Sequence, residues 1–111
     1  MQEKLNQLKI EFEKKVKRIE RYEKRLEQAK QDYIEGVLEL AEMMKEVKTE
    51  NEKRALEQSL VDVAIEYAER EKQYKEIIDR TKISADELRV EVCHLESEVA
   101  KAEARKKLAK M

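Results

Sequence analysis

Leu5, Phe12, Ile19, Leu26, Tyr33, Leu40 and Val47 fall seven residues apart without a miss. A second row, Leu8, Lys15, Tyr22, Ala29, Gly36 and Met43, follows three residues behind it. Steps of three and four place both rows on one stripe of an α-helix, and a seven-residue repeat held this long marks a coiled coil with the first row at a and the second at d. Such a stripe cannot stay in water, so the helix must pair.

Composition agrees. The 111 residues contain no Pro and one Gly, so the usual helix breakers are nearly absent. Charged residues make up 46%, a level typical of disordered chains, but 41% are hydrophobic and those are periodic, which disordered chains are not. Aromatic residues are only 5%, too few for a thick globular core. Lys and Arg number 25 against 26 Asp and Glu, a balance that gives no reason to expect nucleic acid.

The first seam covers residues 1–47. Over 48–57 the pattern fails, with Glu50, Arg54 and Glu57 at the expected seam positions. Thr49 and Glu52 have the spacing of a capping box, a helix-start signal, and Asn51 tolerates a left-handed turn. This segment is a turn or a stammer, a three-residue irregularity that overwinds a continuous coil. A second coiled-coil segment, 58–104, restarts the seam in a new frame. Leu60, Tyr67, Tyr74, Thr81, Leu88, Leu95 and Ala102 stand at d, and Ala64, Glu71, Ile78, Ala85, Val92 and Val99 at a. Ser84 and Glu87 repeat the capping-box spacing, but the seam runs through them and Ser84 is expected inside the helix. A basic tail, 105–111, closes the chain.

Flanking charges bear on orientation. In a parallel homodimer each g residue faces the e residue five positions on in its partner. That sets Lys4 against Lys9, Arg25 against Lys30, Arg70 against Lys75, Glu91 against Glu96 and Glu98 against Glu103, with only Arg18–Glu23 attractive. Folding the second seam back on the first, about a centre near residues 53 and 54, layers Leu40 with Tyr67, Tyr33 with Tyr74, Tyr22 with Ala85, Phe12 with Leu95 and Leu5 with Ala102. Gly36 then falls opposite Glu71 and Lys15 opposite Val92, the weak layers. Attractive flanks become Arg18–Glu91, Glu39–Arg70, Lys9–Glu96 and Glu23–Lys82, while Lys4–Arg105, Glu11–Glu98 and Lys30–Lys75 repel. Exposed pairs contribute only about 0.2–0.5 kcal/mol each, so the count biases orientation without fixing it. The expected fold is all-α, a long coiled coil, antiparallel as a helical hairpin or an antiparallel dimer in preference to a parallel two-stranded coil.

Ile34, Val37, Leu38, Ala41 and Met44 leave the first seam for positions b, e and f, and Val61, Ile65 and Ala68 widen the second. A two-stranded seam needs only a and d, so this excess is a candidate patch for further helices or a partner protein. Two basic runs, Lys14–Arg25 and Lys101–Lys110, are solvated faces or docking surfaces for an acidic partner such as a tubulin tail or an anionic membrane. The four tyrosines, Tyr22, Tyr33, Tyr67 and Tyr74, lie on the seams and are expected in the core with their hydroxyls at the rim.

No constellation for catalysis stands out. Cys93 and His94 are neighbours at b and c, cannot both aim at one metal from a helix, and have no second Cys or His to complete a tetrahedral set. A nucleophilic cysteine needs a pocket, and two helices enclose none. One Gly cannot build a phosphate loop. The expectation is a non-enzymatic chain with no metal, cofactor or small-molecule substrate. No apolar run exceeds the three residues Val63–Ile65, and the first residues lack the apolar core of a signal peptide. A single Cys fits a reducing, cytoplasmic setting. The function expected is structural: a self-associating rod or scaffold of the cytoskeletal, centrosomal or tethering kind, with an adaptor that recruits a protein through the apolar patch as the alternative.

Overall fold

The computed structural model describes residues 2–110. It contains two long helices, α1 (Gln2–Lys45) and α2 (Glu50–Lys110), joined by a short turn. The protein is an all-α helical hairpin, in keeping with the antiparallel coiled coil expected from the seams. No described residue has a positive φ, so Asn51 is not a left-handed cap; it lies within α2. Residues 105–110 of the basic tail are likewise the last part of α2, and residue 111 lies outside the described residues.

The turn is where the capping signal acts. Thr49 Oγ1 accepts a hydrogen bond from the Glu52 amide at 3.2 Å, and Glu52 Oε2 reaches back to accept one from the Lys48 amide at 3.2 Å. The Thr49 carbonyl receives the Lys53 amide at 3.1 Å, the first bond of the new helix. Thr49 is thus the N-cap, satisfying donors that a helix start leaves open, and Glu50 and Glu52 place negative charge at the positive end of the helix dipole. The Glu46 amide bonds to the Met43 carbonyl at 3.1 Å as α1 tightens to its end. The break therefore occupies Glu46–Thr49, earlier and shorter than 48–57, and it is a true turn rather than a stammer.

The chain divides into two compact units. The first comprises residues 21–77 and contains the turn. Here Tyr33 stacks on Tyr67, with ring centroids 4.8 Å apart and planes 15° from parallel. Tyr22 and Tyr74 meet at 5.9 Å and 52°. These contacts correct the expected register: Tyr33 pairs one heptad nearer the turn than Tyr74, and Leu40 is not the partner of Tyr67. The cause is the turn. Moving the fold-back point from residues 53–54 to the 46–49 turn shifts the pairing within residues 21–77, and one heptad is the smallest slip that keeps both rows facing inward there. Arg70 pairs with Glu66 in its own helix at 2.8 Å and not with Glu39. Lys75 likewise pairs with Glu71, at 3.3 Å.

Gly36 illustrates the corrected register. A Cβ built there would meet Val63 Cγ1 at 3.8 Å, an ordinary van der Waals contact, so nothing in the packing requires glycine. Its φ is helical, and glycine inside a helix costs about 0.5–1 kcal/mol relative to alanine. Gly36→Ala is expected to raise stability by about that amount, read as an increase in urea midpoint at unchanged m-value.

The second unit comprises residues 2–20 and 78–110. Its core is Leu5, Leu8, Ile78 and Ala85, with Thr81 the one buried polar residue among those described. No buried side-chain nitrogen or oxygen among the described residues lacks a hydrogen-bond partner. Lys9 Nζ lies 3.4 Å from Glu96 Oε1, the flank pairing expected from the sequence. Ser84 lies inside the continuous α2.

Candidate functional site

The seam residues Leu5, Phe12, Ile19, Leu26, Tyr33, Leu40 and Val47 of the first row, and Leu60, Tyr67, Tyr74, Leu88 and Leu95 of the second, are all buried or half-buried. Met43 is the exception among the a and d positions: it is exposed, and Met44 turns inward instead. An α-helix drifts about 20° per heptad against a strict seven-residue repeat. By the end of α1 that drift has carried the inward role from Met43 to Met44.

The widened apolar face remains uncovered. Leu38 is 61% exposed, Ile65 53%, Val61 51% and Ile34 40%, and Ala41 and Ala68 are exposed as well. Val37 and Met44 are half-buried and so broaden the seam. Ile34, Leu38 and Ala41 step by four and three along α1; Val61, Ile65 and Ala68 step identically along α2. The structure thus brings two equally spaced aliphatic rows to the same unit, near the turn.

Beside the tyrosine pair lies an open depression of about 100 Å³, lined also by Ala29, Asp32, Val63, Glu66 and Arg70. Tyr67 makes a bond here that the sequence did not indicate. Its hydroxyl donates to Glu71 Oε2 at 2.7 Å, so this tyrosine at the rim bonds a carboxylate of its own helix. That hydrogen bond first, and the nearby Lys75 second, hold the Glu71 carboxyl below its ordinary value. The same bond, followed by desolvation and the Glu71 charge, raises the Tyr67 phenol above its ordinary value.

A pH dependence follows. The depressed Glu71 contributes stability that is present above its ordinary value of 4.5 and is lost as pH falls through its lowered value. The raised Tyr67 contributes stability that is present below its ordinary value of 10.0 and is lost as pH rises through its raised value. Tyr67→Phe removes the shared bond. Its melting temperature is expected to decline less than that of the wild type as pH falls below 4.5, measured by circular dichroism.

Cys93 and His94 are exposed on α2. Among the described residues no group of three or more His, Cys, Asp or Glu side chains could hold a metal ion, and no helix is long and apolar enough to cross a membrane. The surface carries exposed aliphatic rows and many charged side chains. No protein-family model, curated protein or solved structure matches the chain.

Proposed function

We propose that the hairpin is a non-enzymatic assembly module whose copies pair through the exposed aliphatic rows of residues 34–44 and 61–68 to build a rod or scaffold. The observation that carries this is the exposure of Leu38, Val61 and Ile65, large aliphatic side chains that the hairpin's own seam leaves in water. Contiguous apolar surface of this kind marks an interaction site in a soluble chain. Identical spacing on the two helices suits a second copy, because a two-fold contact requires a patch that complements itself. Two helices also leave their own core thin: no described side chain is fully buried, and a third and fourth helix would complete the burial. In this reading the module works in a reducing, cytoplasmic setting, which the exposed and unpaired Cys93 suits.

The test is a pair of variants, Leu38→Glu and Ile65→Glu, compared by sedimentation equilibrium over a concentration series. Both are expected to keep the helical circular dichroism of the wild type and to lower the association order. Wild-type protein that stays at monomer mass across the series would defeat the assembly reading and favour an adaptor that offers the same rows to a different protein. If either variant lost helicity and melted as early as a core truncation such as Leu26→Ala, the residue would belong to the hairpin's own core.

A further inference from the structure

We propose a second, salt-sensitive contact surface on α1, formed by Arg21, Lys24 and Arg25 at one end and Glu35, Glu39 and Glu42 at the other, whose occupant is another copy of this chain laid antiparallel. All six side chains are exposed, and all occupy positions c, f or g on the outer face of α1. They are sorted by sign. Between the two groups lie the neutral Gln28 and Gln31, which bond within the helix to Asp32 at 2.8 Å and Glu35 at 3.4 Å.

Sorting of this kind works against the helix that carries it. Residues three and four apart are neighbours on a helix, and like charges there destabilise it. Elsewhere the chain places opposite charges at those spacings, as in Glu66 with Arg70 and Glu71 with Lys75. On this face the neighbours of Arg21 are Lys24 and Arg25, and those of Glu39 are Glu35 and Glu42. Among the described residues Arg21, Lys24 and Glu39 form no ion pair; Arg25 rests over the Tyr22 ring at 4.9 Å, and Glu42 reaches Lys45 at 3.0 Å. A partner whose charges run in the opposite order would relieve both ends at once.

The chain itself has that order when reversed. A two-fold axis near Gln31 and Asp32 lays Arg21 of one copy over Glu42 of the other and Lys24 over Glu39, and symmetry repeats the contact. An interface of this kind uses the same patch on both molecules, so a surface that is positive at one end and negative at the other complements itself only in the antiparallel sense. Leu38, at f, lies on this face between Glu35 and Glu42 and so belongs to both surfaces, whereas the aliphatic row of α2 lies outside it. Surface ion pairs are individually weak and screened, with a Debye length of about 30 Å at 0.01 M salt and about 8 Å at 0.15 M. The contact therefore governs orientation and is strongest at low ionic strength.

Complementary charge reversal tests it in the full chain under reducing conditions, with Ile65→Gln in every protein to silence the aliphatic rows. One variant carries Arg21→Glu, Lys24→Glu and Arg25→Glu; the other carries Glu35→Lys, Glu39→Lys and Glu42→Lys. By sedimentation equilibrium the parent is expected to self-associate at 0.01 M salt and to weaken about tenfold or more at 0.3 M. Each variant alone is expected to lose that association, and an equimolar mixture to regain it as a one-to-one complex. Circular dichroism checks folding, and the milder triple Gln replacements of the same cations keep the test decisive if a reversal unfolds. Persistence of the parent's association in either variant, failure of the mixture, or a parent that does not self-associate at low salt would each overturn the proposal. Loss in the first variant with retention in the second would also overturn it, assigning the cations to an acidic partner of another kind. Loss of association in Ile65→Glu alone would bear on the aliphatic rows and leave this contact standing, because position 65 lies on α2.

Discussion

Ile78→Ala is expected to destabilise the protein by about 2–5 kcal/mol, whereas Ile83→Ala, five residues along the same helix, should change stability by less than about 0.5 kcal/mol. Ile78 is only 6% exposed and packs in the core of residues 2–20 and 78–110; Ile83 is 62% exposed at position f. The two substitutions remove the same atoms from the same helix, so differences in helix propensity cancel and only burial distinguishes them. Truncating Ile78 removes buried apolar surface and leaves a gap that two rigid helices refill poorly. Against a total stability of about 5–15 kcal/mol for a domain, that loss is large. Urea titration of both variants followed by helical circular dichroism measures the pair. Equal effects would mean that the seam does not run where Ile78 sits.

Much of this architecture was legible from spacing. The a and d rows point inward along both helices because the heptad repeat records which side of each helix is dry. The Thr49–Glu52 capping signal was also legible and marks the true start of α2. Register was not. A slip of one heptad returns every a to a and every d to d, so hydrophobic patterning cannot tell Tyr33–Tyr67 from Tyr33–Tyr74. Only the length of the turn decides, and Glu46, Val47 and Lys48 are as compatible with helix as with turn. Glu50, Arg54 and Glu57 looked like a broken seam, yet they are exposed helical residues in the first turns of α2. The charge count could not settle the matter either. Lys9–Glu96 forms as expected, but Arg70 and Lys75 find carboxylates in their own helix, where a partner four residues away is always within reach.

The aliphatic rows were legible as an excess over what a two-stranded seam needs, and the structure leaves Leu38, Val61 and Ile65 uncovered. What spacing could not show was which members of that excess widen the seam. Val37 and Met44, at e, are half-buried, while Ile34 and Ala41, at b, and Leu38, at f, stand outside. The division follows the angle of each position from the seam: e lies next to a, and b and f lie further round the helix.

Gly36→Cys with Val63→Cys, in a Cys93→Ser background, tests the hairpin and its register together. A Cβ at position 36 would stand 3.8 Å from the Cγ1 that a Val63 sulfur would replace, within the reach of a disulfide after small adjustment. Mild oxidation is expected to link 36 to 63 within one chain, leaving the protein at monomer mass under denaturing, non-reducing conditions. Closing a loop of this size should stabilise the oxidised form by about 3–4 kcal/mol over the reduced one. The Gly36→Cys/Glu71→Cys pair, which a fold-back near residues 53–54 would favour, should link far more slowly. Efficient 36-to-71 linkage, or a 36-to-63 product found only at dimer mass, would contradict the fold described here.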